Sequence, residues 1–96
     1  MPLGYWISSY RSSPDPELVK RYSKLAGPIV EAAGGRVLTA GNPVAAFEHG
    51  MIERTVIIEF DSPELAQATF EGDAYQEVAK LINDAAVRDI RIVSGR

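Results

Sequence analysis

The stretch RTVIIEFDSPEL, residues 54–65, decides the fold. Its first half sets Val56, Ile57 and Ile58 between Thr55 and Phe60. Such a β-branched and aromatic run suits a pleated, half-buried strand, predicted here over Arg54–Phe60. The second half changes character at once. Ser62 can accept from the free amides at a helix start, Pro63 takes the first helical position, where a missing N–H costs nothing, and Glu64 adds negative charge in the first turn. A strand that runs directly into a capped helix is one half of a split βαβ unit.

The same grammar occurs about half the chain earlier. Gly4–Arg11 (GYWISSYR) reads as a strand, Ser12-Ser13-Pro14 ends it, and Asp15-Pro16-Glu17-Leu18 repeats cap, proline, acid and leucine. Leu18, Tyr22, Leu25, Ile29 and Ala32 then fall on one helical stripe. Pro28 inside that stripe predicts a kink or a break near Gly27, and Gly34-Gly35 closes the helix. Arg36–Ala40 is a short second strand, Gly41-Asn42-Pro43 a turn, Val44–Phe47 the return strand of a small hairpin, and Glu48–Glu53 a polar loop. Beyond Ser62, the residues Leu65, Ala66, Thr69 and Phe70 form an inner stripe. Gly72 interrupts it, and Asp73 with Gln76 forms a capping box that restarts the helix with Tyr75, Val78, Ala79 and Ile82 inside. Val87–Val93 is the last strand. Two strand–helix–strand halves with right-handed crossovers build a four-stranded antiparallel sheet with the helices on one face, an α+β, ferredoxin-like βαββαβ subunit. A doubly wound parallel sheet needs more strands than 96 residues supply.

Composition narrows the function classes. Ninety-six residues, 46% of them apolar, suit one globular domain over residues 1–96. A net charge of −3 leaves no electrostatic footprint for nucleic acid or for an anionic membrane surface. The absence of cysteine removes disulfides, thiolate metal sites, iron–sulfur clusters and cysteine nucleophiles together. No apolar run approaches the roughly 20 residues of a membrane span, and the N-terminus lacks a basic-then-apolar signal pattern, so a cytoplasmic location is expected.

The second face of the sheet poses a physical problem. Alternation sends Val56, Ile58 and Phe60 of the third strand toward the helices and Thr55, Ile57 and Glu59 away from them. In the last strand Ile90 and Ile92 face the helices, and Asp89, Arg91 and Val93 face away. The outward sets are too apolar for a wetted face and too polar for a dry core. A homodimer formed through the sheet face answers both demands.

The chain also resembles the family known as domain of unknown function 1330, within the dimeric α+β-barrel superfamily. The matching stretches are Gly4-Tyr5-Trp6, Ala26-Gly27-Pro28, Gly34-Gly35-Arg36, Glu53 through Ser62, Ala74-Tyr75-Gln76 and Val87 through Val93, in the right order and spacing over nearly the whole chain. The resemblance implies a ferredoxin-like subunit that pairs sheet to sheet into a barrel. It implies no particular reaction, because relatives on this fold include cofactor-independent oxygenases, muconolactone isomerase-like enzymes, haem-degrading enzymes and haem-dependent peroxidases. The segment Ala45–Ile52, with Glu48-His49-Gly50-Met51, departs from the common family pattern.

Few side chains carry chemistry. His49, the only histidine, could serve as a general base or haem ligand, and its plainer reading is a loop imidazole in water. Lone histidine and scattered acids do not make a metal site, and no cofactor is expected. Glu59, on a central strand and facing the partner, must be paired or protonated, with Arg91, Arg11 and Arg54 as the available cations. It reads as a cross-strand or intersubunit ion pair, or as a catalytic acid or base. Tyr22 and Tyr75 lie on the inner stripes of the two helical regions. The superfamily's substrate cavity lies between sheet and helices, so these tyrosines, with Trp6 and Arg54, are the candidate ligand-binding residues; the plainer reading is a packed aromatic core. Arg88 alternates to the side opposite Asp89 and Arg91, a pattern that reads as edge protection or a rim ion pair. The glycines lack phosphate-loop spacing, and no serine stands in a nucleophile elbow. The expected protein is a small homodimer that binds an aromatic or carboxylate ligand between sheet and helices. The alternative is a cofactor-independent enzyme, oxygenase- or isomerase-like, acting on a small aromatic or lactone substrate with Glu59 or His49 as base; haem binding through His49 is a third reading.

Overall fold

A computed structural model describes residues 2–96. The elements follow in the order β1 (Gly4–Tyr10), α1 (Pro16–Ala32), β2 (Arg36–Gly41), β3 (Thr55–Phe60), α2 (Pro63–Glu71), α3 (Asp73–Asn83) and β4 (Arg88–Ser94). The strands form one antiparallel sheet in the order β2-β3-β1-β4, which is the ferredoxin-like arrangement expected from the repeated strand–helix–strand pattern. Among the described residues, no helix is long and apolar enough to cross a membrane.

Both helix starts form as the cap residues require. The Asp15 carboxylate accepts from the Glu17 amide at 3.0 Å, and Ser62 Oγ accepts from the Leu65 amide at 3.1 Å. At the end of α1, Gly34 takes φ +85°, and the Gly34 and Gly35 amides donate to the Glu31 and Val30 carbonyls, each at 2.9 Å. That left-handed turn is the reason glycine stands there. Gly4 serves closeness instead: a Cβ on it would lie 2.3 Å from Pro63 Cα, so its bare backbone lets the start of α2 sit against β1.

Four local expectations need correction. First, α1 runs unbroken through Pro28. Proline removes only the bond to the Lys24 carbonyl, and both residues lie on the exposed side, where water can take that acceptor. Second, the buried stripe of α1 is Tyr22, Ala26 and Val30, and Leu25 is half exposed. Third, Val44–Phe47 forms no strand: it does not return along the open outer edge of β2, and Val44 and Phe47 (81% exposed) stand in solvent. Fourth, no capping box forms at Asp73. Gly72 is the cap of α3, and the Gln76 side chain donates through Nε2 to the Phe70 carbonyl at 2.6 Å, stitching α2 to α3 at their corner.

Trp6 organises the core. Its ring stacks near Phe60 at 6.3 Å and meets the edges of Phe70 and Tyr75 at 5.3 and 4.8 Å, and Phe60, Tyr75 and Ile82 are fully buried around it. The opposite face of the sheet has no such cover. Ile7 lies beside Ile57 across the strands, Val93 is half exposed, and Tyr5 and Glu59 are neighbours in the same row.

Candidate functional site

Strand register arranges the inner face in rows. At one end of the sheet the Tyr10 amide donates to the Arg54 carbonyl at 2.8 Å, and Tyr10 pairs with Arg88 of β4. The next inner row holds Ala40, Val56, Ser8 and Ile90, and the one after it Val37, Ile58, Trp6 and Ile92. Alternation along each strand sends these side chains to the helix side, where α1 presents Tyr22, Ser23, Ala26 and Val30. A cavity of about 200 Å³ lies between them. At the roughly 30 Å³ a water occupies in the liquid, it has room for about seven waters, or a ligand of one aromatic ring and its substituents.

The cavity wall is mostly aromatic and aliphatic, with a few polar groups. The Tyr22 and Tyr75 hydroxyls, 53 residues apart in sequence, meet at 2.5 Å. Arg88 Nη1 donates to both phenol oxygens at 3.1 Å, and its Nη2 donates to Asn83 Oδ1 at 3.2 Å. The same guanidinium lies 5.3 Å from the centre of the Tyr22 ring and 6.0 Å from that of Tyr10, within cation–π range. Only one of the two phenolic protons can serve the bond between the hydroxyls, so the pair keeps one O–H free to donate. Burial, and then the neighbouring Tyr75, push the Tyr22 phenol well above its ordinary range; burial also raises Tyr10. These phenols therefore stay protonated and act as donors at neutral pH.

Arg54 lines the same cavity and also borders a shallower groove toward Ser13, Lys20 and Lys24. Among the described residues, neither Arg54 nor Arg88 has a carboxylate within ion-pair distance. Ser8 is 5% exposed, and among the described residues its Oγ has no hydrogen-bond partner. An unpaired buried hydroxyl costs folding about 1–3 kcal/mol, so its place on a cavity wall calls for an explanation.

The structure brings Trp6, Tyr22, Tyr75 and Arg54 together around this cavity. Glu59 and His49 lie elsewhere. Glu59 is on the open face of the sheet, where it accepts from Arg36 Nε at 3.0 Å and from the Tyr5 hydroxyl at 3.1 Å. The cation that pairs with it is thus Arg36 of the neighbouring edge strand rather than Arg91, Arg11 or Arg54. The bond to Glu59, and then burial, raise the Tyr5 phenol. Arg91 instead forks onto Asp89 at 3.0 and 3.1 Å and holds that carboxyl below its usual range. His49 occupies an exposed turn between β2 and β3. Among the described residues, no group of three or more histidine, aspartate or glutamate side chains is placed to hold a metal ion. The cavity wall includes neither carboxylate nor imidazole, so its chemistry is donation: two guanidinium groups and spare hydroxyl protons facing an apolar space.

Sequence reasoning had not singled out Arg88, Tyr10 and Ser8 as site residues. Alternation did carry a signal, since it placed Arg88 on the face of Ile90 and Ile92, away from Asp89 and Arg91.

Fold and cavity together define a ferredoxin-like α+β protein with a small aromatic chamber between sheet and helices. Solved structures agree on the fold. A protein of unknown function from Rhodopseudomonas palustris is similar with a TM-score of 0.72 at 19% identity, over 99% of this chain and 83% of that one. A dimeric ferredoxin-like protein of unknown function from Thermobifida fusca YX has a TM-score of 0.63 at 11% identity, over 97% and 91% of the two chains. A dimeric protein of unknown function and ferredoxin-like fold from Bacteroides fragilis has a TM-score of 0.62 at 8% identity, over 96% and 95%. A search of curated proteins found no match. The model of the domain of unknown function family DUF1330 matches residues 3–96, and the chain belongs to that family.

Proposed function

We propose that the protein binds a small organic carboxylate with a flat apolar body in the chamber between sheet and helices, as a homodimer joined through its open sheet faces. The observation that carries the ligand reading is the pair Arg54 and Arg88, two guanidinium groups without carboxylate partners on the wall of an aromatic cavity. A ligand carboxylate would supply the missing anion, and its ring would lie against Trp6, Tyr22 and Val56. The dimer reading is supported by the apolar side chains of Ile7, Ile57 and Val93 on the uncovered face, and by the dimeric description of two proteins that share the fold.

Calorimetric titration with benzoate and with benzamide, its neutral near-isostere, tests the ligand reading. Benzoate is expected to bind at least about tenfold more tightly, as a charge-assisted pair is worth about 1.5–3 kcal/mol. Arg54→Met is expected to remove most of that difference. Equal affinity for the two compounds, or no binding of either, overturns the proposal.

A further inference from the structure

We infer that the chamber is entered between α1 and β2, through a mouth that Gly27 keeps open, and that this bare position governs the passage of an arene carboxylate. This rests on the carboxylate reading of the same cavity and adds to it the route and the residue that controls it.

The rim shows in the exposure of inner-facing residues. By register Val37 lies opposite Ile58 and Ala40 opposite Val56, so both belong to the inner face of the sheet. Both line the chamber, yet Val37 is 52% exposed and Ala40 is exposed as well, whereas Ile58 and Trp6 on the same face are buried. The helix layer therefore stops short of the edge strand, and the chamber reaches solvent along that flank. Across from β2 the wall is α1. Its buried lining residues are Tyr22, Ala26 and Val30, and its partly exposed ones are Ser23 and Gly27, one turn apart.

The packing of the protein does not ask for glycine at position 27. Glycine in a helix interior is less stable than alanine. The helix runs through it, and among the described glycines only Gly34 takes a positive φ. Apart from its chain neighbours and the backbone of its own helix, nothing lies within 4 Å of where its Cβ would stand. No close approach requires the missing side chain, and its absence leaves free space at the rim. Pro28 gives glycine one local use, since proline disfavours helical backbone in a preceding residue that carries a Cβ. That use bears on stability alone. The two roles part in the rates at which a ligand comes and goes.

The natural chain, Gly27→Leu and Ala40→Leu are each mixed with benzoate in a stopped-flow fluorimeter. Trp6 is the only tryptophan and stands in the chamber wall, so its emission reports occupancy. A side chain at the rim hinders passage in both directions without touching the bound ligand. Association and dissociation are therefore each expected to slow about tenfold or more, with Kd within about threefold of the natural chain. The two substitutions approach the mouth from opposite sides, so failure of one variant to fold leaves the other to decide. Arg21→Leu, exposed on α1 and outside both the chamber and the groove, is expected to leave the rates within about twofold. Unchanged rates in the folded Gly27→Leu and Ala40→Leu variants overturn the inference while the carboxylate reading stands; a lower melting temperature alone would then assign Gly27 to Pro28. A loss of affinity with dissociation as fast as in the natural chain also overturns it, because the new side chain would then compete for the ligand's own space. If benzoate binds none of the proteins, the carboxylate reading falls and the mouth with it.

Discussion

Replacing Arg88 by methionine separates a ligand-binding guanidinium from a merely structural one. Arg88 donates to Tyr22 and Tyr75 at 3.1 Å each and to Asn83 at 3.2 Å, and it lies over the Tyr22 ring at 5.3 Å. Methionine keeps the length and the apolar stem and removes the charge and its donors. Within the protein, the loss comprises one cation–π contact of about 0.5–1 kcal/mol and hydrogen bonds to neutral groups. It is partly offset because a half-buried cation no longer has to be desolvated. The two phenols keep their own bond. A net destabilisation of about 1–2 kcal/mol follows, or a melting temperature lower by roughly 5–15 °C for a chain of this size. Ligand binding should suffer more. A carboxylate that has lost a charged partner gives up about 1.5–3 kcal/mol, so benzoate affinity should fall about 10- to 150-fold, while benzamide affinity changes little. Arg88→Lys, which keeps the charge without the planar fork, should fall between. Calorimetric titration of both compounds, with a thermal melt of each variant, reads the two effects separately. Benzoate affinity within twofold of the natural chain, in a variant that is folded, would refute the reasoning.

Further predictions follow from other parts of the molecule. Ile57→Lys places a charge on the open sheet face, beside Ile7; sedimentation should show a dimer for the natural chain and a monomer for the variant, with benzoate binding retained if the cavity belongs to one subunit. Gly4→Ala drives a methyl group into the Pro63 backbone at 2.3 Å and should cost about 3 kcal/mol or more, read as a lower urea midpoint. Burial holds the Tyr22 and Tyr10 phenols above their usual range, so the folded chain keeps protons that the unfolded chain releases near pH 10. Their contribution to stability is therefore complete below about pH 10 and declines above it, by at most about 1.4 kcal/mol per pH unit for each phenol. Urea midpoints measured between pH 8 and pH 11 should show that fall, and Tyr22→Phe should lessen it.

The framework was legible because its signals are local. Each helix start is written in a cap, a proline and an acid, and the side chains of Asp15 and Ser62 make the bonds those patterns require. The alternation of Val56, Ile58 and Phe60 likewise gave the buried side of β3 directly. What escaped depends on contacts between distant segments. Val44–Phe47 has strand-forming residues but does not pair along the open edge of β2, and β propensity is realised only in pairing. The partner of Glu59 follows from the register of an edge strand with an irregularity between Val37 and Thr39, which no local pattern encodes. Tyr22 and Tyr75 were visible as inner residues of two helices. That their hydroxyls meet, and that Arg88 reaches both, follows only from the way α1 and α3 pack beside β4.

The central position of β1 has a consequence for how the chain comes to be folded. β1 precedes both of its neighbours in sequence, and the second of them, β4, is the last strand of the sheet to be made. During synthesis, Trp6 and Tyr10 leave the ribosome well before either flanking strand exists, and the hydrogen-bonding groups on both sides of β1 wait for them. High contact order of this kind makes folding slow and defers it until β4 has been made. The Tyr22–Arg88 contact spans 66 residues, so the chamber closes only when the last strand docks. A nascent chain halted before β4 would thus be unable to hold a ligand, and it would present the aromatic side of β1 to chaperones instead.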